Sequence, residues 1–262
     1  MKRSILAAAL LAAGAVGLLA QPTAGKPAQA PKGPTFKSQA ELQALQAWQA
    51  ALQAGDPDGI IKVDDDLLIK FPNTEFKGSV LESEAEAYLQ KNDWAKAQIY
   101  ADMALTADPK SFQAARLLAD IPAKHTGEHD LDKEESLTKA EKYAHQAIDL
   151  VNSAPKPSQL TDQQWADYQK GIASQAQDDL GMIAMDRKNW DAAAAAFKAA
   201  FALSPEPAYK VRLANVLVLG GKPDEAIAVC DQILAEPNLH PRIQSAARSI
   251  RANATAAKAV AK

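Results

Sequence analysis

The chain has 262 residues, of which 47% are hydrophobic and 23% charged, which is enough to bury a sizeable core and excludes an intrinsically disordered tail. Alanine and other helix formers dominate while aromatic residues make up only 6%, so an all-α fold is expected. The formal net charge of -3 and the lack of a basic stripe exclude a phosphate-neutralising surface, so no nucleic-acid partner is predicted.

The N-terminal segment, residues 1–20, has the pattern of a secretory signal peptide. Lys2 and Arg3 give a basic start, the uncharged apolar run 5–19 follows, and cleavage is predicted after Ala20. An uncleaved membrane anchor is the alternative, although the run is shorter than the ~20 residues that a spanning helix needs. We therefore expect an exported protein, periplasmic or extracellular, that contacts a membrane only if this segment is retained.

Residues 21–37 are predicted to form a tether, because four prolines lie there among Gly, Ala, Gln and Lys and little can be buried. The folded domain is predicted to span residues 38–262. It begins at Ser38, a good helix N-cap with Glu41 three residues later, and an apolar pattern of helical spacing follows.

Internal repetition is the most informative pattern in the folded domain. The segment KNDWAKA at 91–97 recurs as RKNWDAA at 187–193. The segment GDPDG at 55–59 recurs as GKPDE at 221–225, with proline at the first helical turn. Each segment combines turn residues with a helix start, so the chain is predicted to be built from repeated helix pairs.

The residues around the second tryptophan turn resemble one unit of the tetratricopeptide repeat family. In that family two antiparallel helices cross where small residues let the backbones approach, an aromatic side chain fills the gap between neighbouring pairs, and proline ends the second helix. By this resemblance Gly181 and Ala193 take the close-approach positions, Phe197 is the aromatic filler, and Pro205 ends the unit. Other copies are more degenerate but keep the same spacing.

The resemblance implies an all-α fold, a right-handed α-solenoid of antiparallel helix pairs with about five units and a C-terminal capping helix. Two segments interrupt the regular spacing and are predicted to be insertions, 122–135 and 153–160. The first contains His125 and His129, four residues apart among carboxylates, so a metal site is one interpretation. Gly127 and the missing HExxH order favour a solvated loop instead, and no metal or other cofactor is predicted.

Catalytic motifs are absent from the sequence: there is no GxSxG, no phosphate-binding loop and no cysteine cluster. We therefore predict that the protein is not an enzyme. Cys230 is the only cysteine, so an intramolecular disulfide is excluded, and its place on an apolar helix face predicts a buried side chain.

In tetratricopeptide proteins the first helix of each pair lines the concave groove, and ligand contacts come from particular positions on it. The resemblance assigns partner binding to Glu82, Glu86, Leu89, Gln90, Asp178, Met182, Met185, Asp186, Val211, Asn215 and Val218. Members that clamp an acidic peptide terminus use Lys and Asn at such positions, whereas Glu82, Glu86 and Asp178 stand here. A basic or apolar protein or peptide is the expected partner.

These observations predict a non-enzymatic scaffold in the cell envelope that binds a protein or peptide in its concave groove. Two alternatives remain at this point. One is a structural repeat protein that associates with itself into homo-oligomers. The other is a metal or small-ligand binding module that uses the loop of His125 and His129.

Overall fold

The computed structural model describes residues 34–260, so the predicted signal peptide and most of the predicted tether lie outside the described residues. Within this range the structure has eleven helices and no strand. They are α1 (Gln39–Ala54), α2 (Pro57–Lys70), α3 (Lys77–Gln90), α4 (Trp94–Ala107), α5 (Phe112–His125), α6 (Lys133–Ser153), α7 (Asp162–Asp186), α8 (Trp190–Leu203), α9 (Pro207–Leu219), α10 (Pro223–Leu234) and α11 (Pro241–Val260). None of these helices is both long and apolar enough to span a membrane.

The chain divides into two compact units, and the divisions fall within α5, within α7 and at the end of α6. Unit 1 contains the described residues up to Leu117 together with Ala154–Ala166, and unit 2 contains Leu118–Ser153 and the described residues from Asp167 onward. Within unit 1, α3 packs against α2 and α4. Within unit 2, α9 packs against α8 and α10, and α11 packs against α10. Consecutive helices therefore form packed pairs, and the predicted all-α fold of the solenoid class is confirmed.

One turn recurs between paired helices and explains the sequence repetition. Its central residue has a left-handed backbone, with φ of 59° at Asn92, 59° at Lys188 and 72° at Gly221. The next residue donates its N–H to the carbonyl five residues earlier, at 2.9, 2.8 and 2.8 Å respectively. This bond closes the C-terminus of the first helix of each pair and directs the chain into the second helix.

Lys188 is expected to be a strained position of this turn. A left-handed backbone costs an L-residue roughly 1–2 kcal/mol, whereas glycine adopts it freely. The ion pair from Lys188 to Glu128 joins two exposed side chains at 3.6 Å and contributes little. We expect Lys188→Gly to raise the free energy of unfolding by about 0.5–1 kcal/mol in urea denaturation.

The matched control for Lys188→Gly is Gly221→Ala, which places a side chain at the same position of the turn and should destabilise the protein. A Cβ at Gly221 would meet no atom within 4 Å, so any loss reports backbone strain alone. Equal stability of Lys188→Gly and the wild type would mean that Lys188 is not strained.

The core of unit 2 confirms the roles that the repeat pattern assigned. Phe197 is fully buried, and a Cβ placed on Gly181 would lie 2.5 Å from its ring, so only glycine allows α7 and α8 to approach this closely. Ala193 is fully buried beside them. Helix α8 ends at Leu203, two residues before Pro205, and Cys230 is fully buried on α10.

The folded region begins earlier than predicted. Thr35 N–H and Lys37 Nζ form hydrogen bonds of 2.8 and 2.6 Å with the segment between α2 and α3, and Phe36 packs against the core cluster of unit 1. Ser38 is the N-cap of α1 as predicted, because its hydroxyl accepts the Glu41 N–H at 3.1 Å. The end of the predicted 21–37 tether is thus bound to the domain, because Phe36 gains by burying apolar surface.

The predicted insertion at 122–135 is shorter in the structure. Helix α5 continues through Pro122 to His125 and α6 begins at Lys133, so only residues 126–132 connect them. Proline removes one helical hydrogen bond, but the flanking Ile121 and Ala123 are buried and their packing offsets that loss. The connection between α6 and α7 consists of residues 154–161, where the sequence predicted the second insertion at 153–160.

Candidate protein-binding surface

Two polar contacts join α7 to α9 in unit 2. The Ser174 and Tyr209 hydroxyl oxygens are 3.4 Å apart, and Arg212 Nη1 donates to Asp178 Oδ1 at 3.0 Å. Arg212 is partly exposed, whereas Ser174 and Asp178 are buried. These contacts fix the spacing of α7 and α9 without covering the outer side chains of either helix.

Six of the predicted binding residues lie on α7 and α9 and are partly exposed. They are Met182, Met185, Asp186, Val211, Asn215 and Val218, which we call the α7–α9 surface. Met182, Met185 and Val218 also pack against the core cluster of unit 2, so each combines a buried part with an accessible part. The structure therefore offers apolar contact area held on two fixed helices.

Asp178 was predicted to bind a partner, but the structure places it inside the protein. The residue is only 5% exposed and its carboxylate is engaged by Arg212. Burial raises the pKa of Asp178, and the positive charges of Arg212 and Lys124 oppose that rise. Asp178 thus holds α9 against α7, and Asp186 is the acidic member of the α7–α9 surface.

The predicted binding residues on α3 lie in unit 1. Glu86 Oε1 is 3.4 Å from Arg116 Nη2, whose side chain is 6% exposed, and Glu82 accepts a hydrogen bond from the Ser111 hydroxyl. Burial raises the pKa of Glu82 to about 7, against the opposing effect of the Ser111 hydrogen bond. Of the two remaining residues, Leu89 is partly exposed and Gln90 is exposed.

These contacts change the charge expected at the predicted sites. Arg212 and Arg116 stand beside Asp178 and Glu86, and Glu82 has a raised pKa, so less free negative charge is present than the sequence indicated. Arg116 lies on α5 and Arg212 lies on α9, and each of these is the first helix of the following pair. The repeat pattern does not predict an arginine at either position. Four of the six side chains of the α7–α9 surface are apolar, and Asp186 is its only carboxylate.

The alternative metal hypothesis concerned the loop that contains His125 and His129. His125 is the last residue of α5, and burial lowers the pKa of its imidazole. Across residues 34–260 no group of three or more His, Cys, Asp or Glu side chains is arranged to hold a metal ion.

A second surface feature of unit 2 was not predicted. A groove of about 410 Å³ lies between α6, α7 and α8, and we call it the α6–α8 groove. It is lined by Glu141, His145, Gln177, Leu180, Ile183, Ala184, Arg187, Asn189, Ala192, Ala195, Ala196 and Ala199. The methyl groups of α8 are too small to fill the space, so the alanines at 192, 195, 196 and 199 are the sequence signal for it.

Comparisons with known proteins agree with this architecture. Residues 179–241 match the family model of the tetratricopeptide repeat. The crystal structure of TTC0263, a thermophilic TPR protein in Thermus thermophilus, superposes with a TM-score of 0.56 at 16% identity, covering 80% of this chain and 98% of that chain. The crystal structure of MamA protein gives 0.57 at 17% identity, covering 77% and 98%. No curated protein shows significant sequence similarity to this chain.

At these identities the two solved structures show a shared fold. The family model covers the segment that contains Gly181, Ala193, Phe197 and Pro205, so the repeat predicted there is confirmed. Repeats of this kind commonly mediate protein–protein interaction and generally act as non-enzymatic scaffolds.

Proposed function

We propose that this chain is an exported, non-enzymatic scaffold in the cell envelope that binds a protein or peptide on its α7–α9 surface. The observation that carries the proposal is that Met182, Met185 and Val218 stay partly exposed on two helices fixed by Ser174–Tyr209 and Asp178–Arg212 contacts. Thioether side chains adapt to irregular partners, while a fixed backbone lowers the entropy lost on binding. The proposed export rests on the signal-type sequence of residues 1–20.

The chemistry of the surface indicates the kind of partner. Its apolar members suit an apolar face of a helix or an extended segment. Asp186 is partly buried at the end of α7, burial raises its pKa, and Lys133 opposes that rise. A partner cation placed opposite Asp186 would favour the ionised carboxylate, so we infer an apolar segment that carries a basic residue at this point.

The test compares two double variants that make similar apolar-to-polar changes at different places. Met185→Gln with Val218→Thr removes apolar character from the α7–α9 surface and keeps the side-chain shapes. Met103→Gln with Ile99→Thr makes matched changes on α4, where both residues are exposed in unit 1. Residues 21–262 would serve as bait for an envelope fraction, and a captured partner would then be purified and titrated.

We expect the α7–α9 variant to bind the purified partner at least tenfold more weakly, with an unchanged helical circular-dichroism signal. The α4 variant should bind as the wild type does. Equal affinity of all three forms would overturn the assignment of the surface. Failure to accumulate in the envelope fraction when the full chain is expressed would overturn the proposed location separately.

Self-association is the second candidate function, and a different observation favours it. Ile99 is 57% and Met103 44% exposed, four residues apart on α4, which leaves an apolar pair in solvent. If this pair joins copies of the chain, sedimentation equilibrium will show oligomers that the α4 variant abolishes and the α7–α9 variant retains.

A further inference from the structure

Three polar contacts converge on one hydroxyl in unit 1. Ser83 Oγ on α3 lies 3.0 Å from Trp48 Nε1 on α1, 2.6 Å from Asp64 Oδ2 on α2, and 2.8 Å from the Val80 carbonyl oxygen. Trp48, Asp64 and Ser83 are 3%, 0% and 9% exposed, so the network lies inside the protein. This single atom thus connects three helices.

Counting hydrogens determines the protonation state that satisfies the network. The indole N–H can only donate, the Val80 carbonyl can only accept, and Ser83 has one hydrogen and two lone pairs. When that hydrogen points to Val80, the Asp64 carboxyl has to supply the hydrogen of the 2.6 Å contact, and every contact is satisfied. An ionised Asp64 competes for the hydroxyl hydrogen, and its buried Oδ1 has no partner.

The surrounding charges act in the same direction. Glu84 on α3 is fully buried and neither of its oxygens has a hydrogen bond of good geometry, while Asp65 lies beside Asp64 on α2. Burial raises the pKa of Asp64 to about 8, and the negative charges of Glu84 and Asp65 add to that rise. Burial likewise raises the pKa of Glu84 to about 7, against the opposing effects of Tyr100 and Lys96 on α4.

We propose that the Trp48–Ser83–Asp64 network is a pH-sensitive contact, in which protonated Asp64 holds α1 and α2 against α3 and ionised Asp64 weakens that packing. Glu84 acts with Asp64, because ionising either carboxyl raises the cost of ionising the other. The first helix pair would then open more often as the surroundings become alkaline. This inference is independent of partner binding by unit 2.

The direction of the effect follows from proton linkage. The folded protein keeps protons on Asp64 and Glu84 that the unfolded chain releases near pH 4, so the stabilising effect is complete below that pH. It is lost as the pH rises through about 7 for Glu84 and about 8 for Asp64. Within this pH window, ionisation of each carboxyl can change the equilibrium constant for opening of the first helix pair by at most about tenfold per pH unit.

The experiment measures opening of α1 and α2 in the full chain by hydrogen exchange at pH 6 and pH 8.5, corrected for the intrinsic exchange rate. The indole N–H signal of Trp48, assigned with Trp48→Phe, gives a second readout at the network itself. We expect the opening constant to rise at least tenfold in the wild type and less than threefold in Asp64→Asn with Glu84→Gln.

Asp66→Asn is the matched control, because Asp66 is exposed on the same helix and its variant should keep the wild-type rise. Ser83→Ala is a second test that does not depend on the double variant folding. Ser83→Ala removes the oxygen to which protonated Asp64 donates, so the transition should move to lower pH. A wild-type opening constant that is equal at both pH values, or a double variant that keeps the full rise, would overturn the proposal.

Discussion

Replacing Phe197 with Ala is expected to lower the free energy of unfolding by about 3–5 kcal/mol, the range found for removing a buried aromatic ring. Phe197 is fully buried in the core cluster of unit 2. The neighbouring positions Gly181 and Ala193 have little or no side chain to move into the space, so the cavity would persist. Urea denaturation followed by far-UV circular dichroism measures the loss.

The contact between Gly181 and Phe197 can be tested by a double-mutant cycle. Gly181→Ala alone should cost about 1–3 kcal/mol, because its Cβ would lie 2.5 Å from the Phe197 ring. In a Phe197→Ala background the same change should cost nothing or restore stability, since the methyl group enters the vacated space. Additive effects would contradict the close-approach role of Gly181.

Gly171→Ala is the control for this cycle. Gly171 also lies within α7, but a Cβ there would meet no atom within 4 Å. Alanine favours a helix over glycine by about 1 kcal/mol, so this variant should be slightly more stable than the wild type. The expected changes in the free energy of unfolding have opposite signs at Gly181 and Gly171. This difference distinguishes steric contact from helix propensity.

Asp178→Lys is expected to lower the free energy of unfolding by about 3–5 kcal/mol, comparable to breaking a buried ion pair. It would place a cation at a position that is 5% exposed beside Arg212, with Lys124 also near. Thermal or urea unfolding would show the loss directly. Charge reversal at Asp178 would therefore disrupt the fold, and it is unsuitable as a probe of partner binding.

Asp149→Lys serves as the matched control for this charge reversal. Asp149 is exposed near the C-terminus of α6 in the same unit, where a positive charge is favoured by the helix dipole. A surface change of this kind should alter stability by about 0.5 kcal/mol or less. If Asp178→Lys were equally mild, the pairing of Asp178 with Arg212 would not be needed to hold α9 against α7.

Short-range patterns predicted most of the fold. The helix pairs, the Gly181–Phe197 approach and the burial of Cys230 follow from spacings within one repeat, where helical geometry leaves few options. Pro122 is the exception, since a local rule predicted a helix end that the packing of Ile121 and Ala123 overrides. At this position the burial of the flanking side chains outweighs the tendency of proline to end a helix.

The character of the binding surface was harder to predict because it depends on residues from different repeats. Asp178 and Arg212 are 34 positions apart, and Glu86 and Arg116 are 30 apart. The sequence identified the acidic members of these pairs but not the cations that reach them. The α6–α8 groove was missed for another reason: it arises from the volume that alanine side chains leave empty.

The buried thiol of Cys230 can report local opening of the protein without any substitution. Cys230 is the only cysteine in the sequence, it is fully buried on α10, and burial raises its pKa. A thiol-reactive dye can therefore label it only while the packing around α10 is transiently open. With dye in an excess at which labelling is faster than reclosing, the rate of colour development equals the rate of opening. Wild-type protein in a spectrophotometer would thus give the opening frequency of the last helix pair without a substitution or an isotope label.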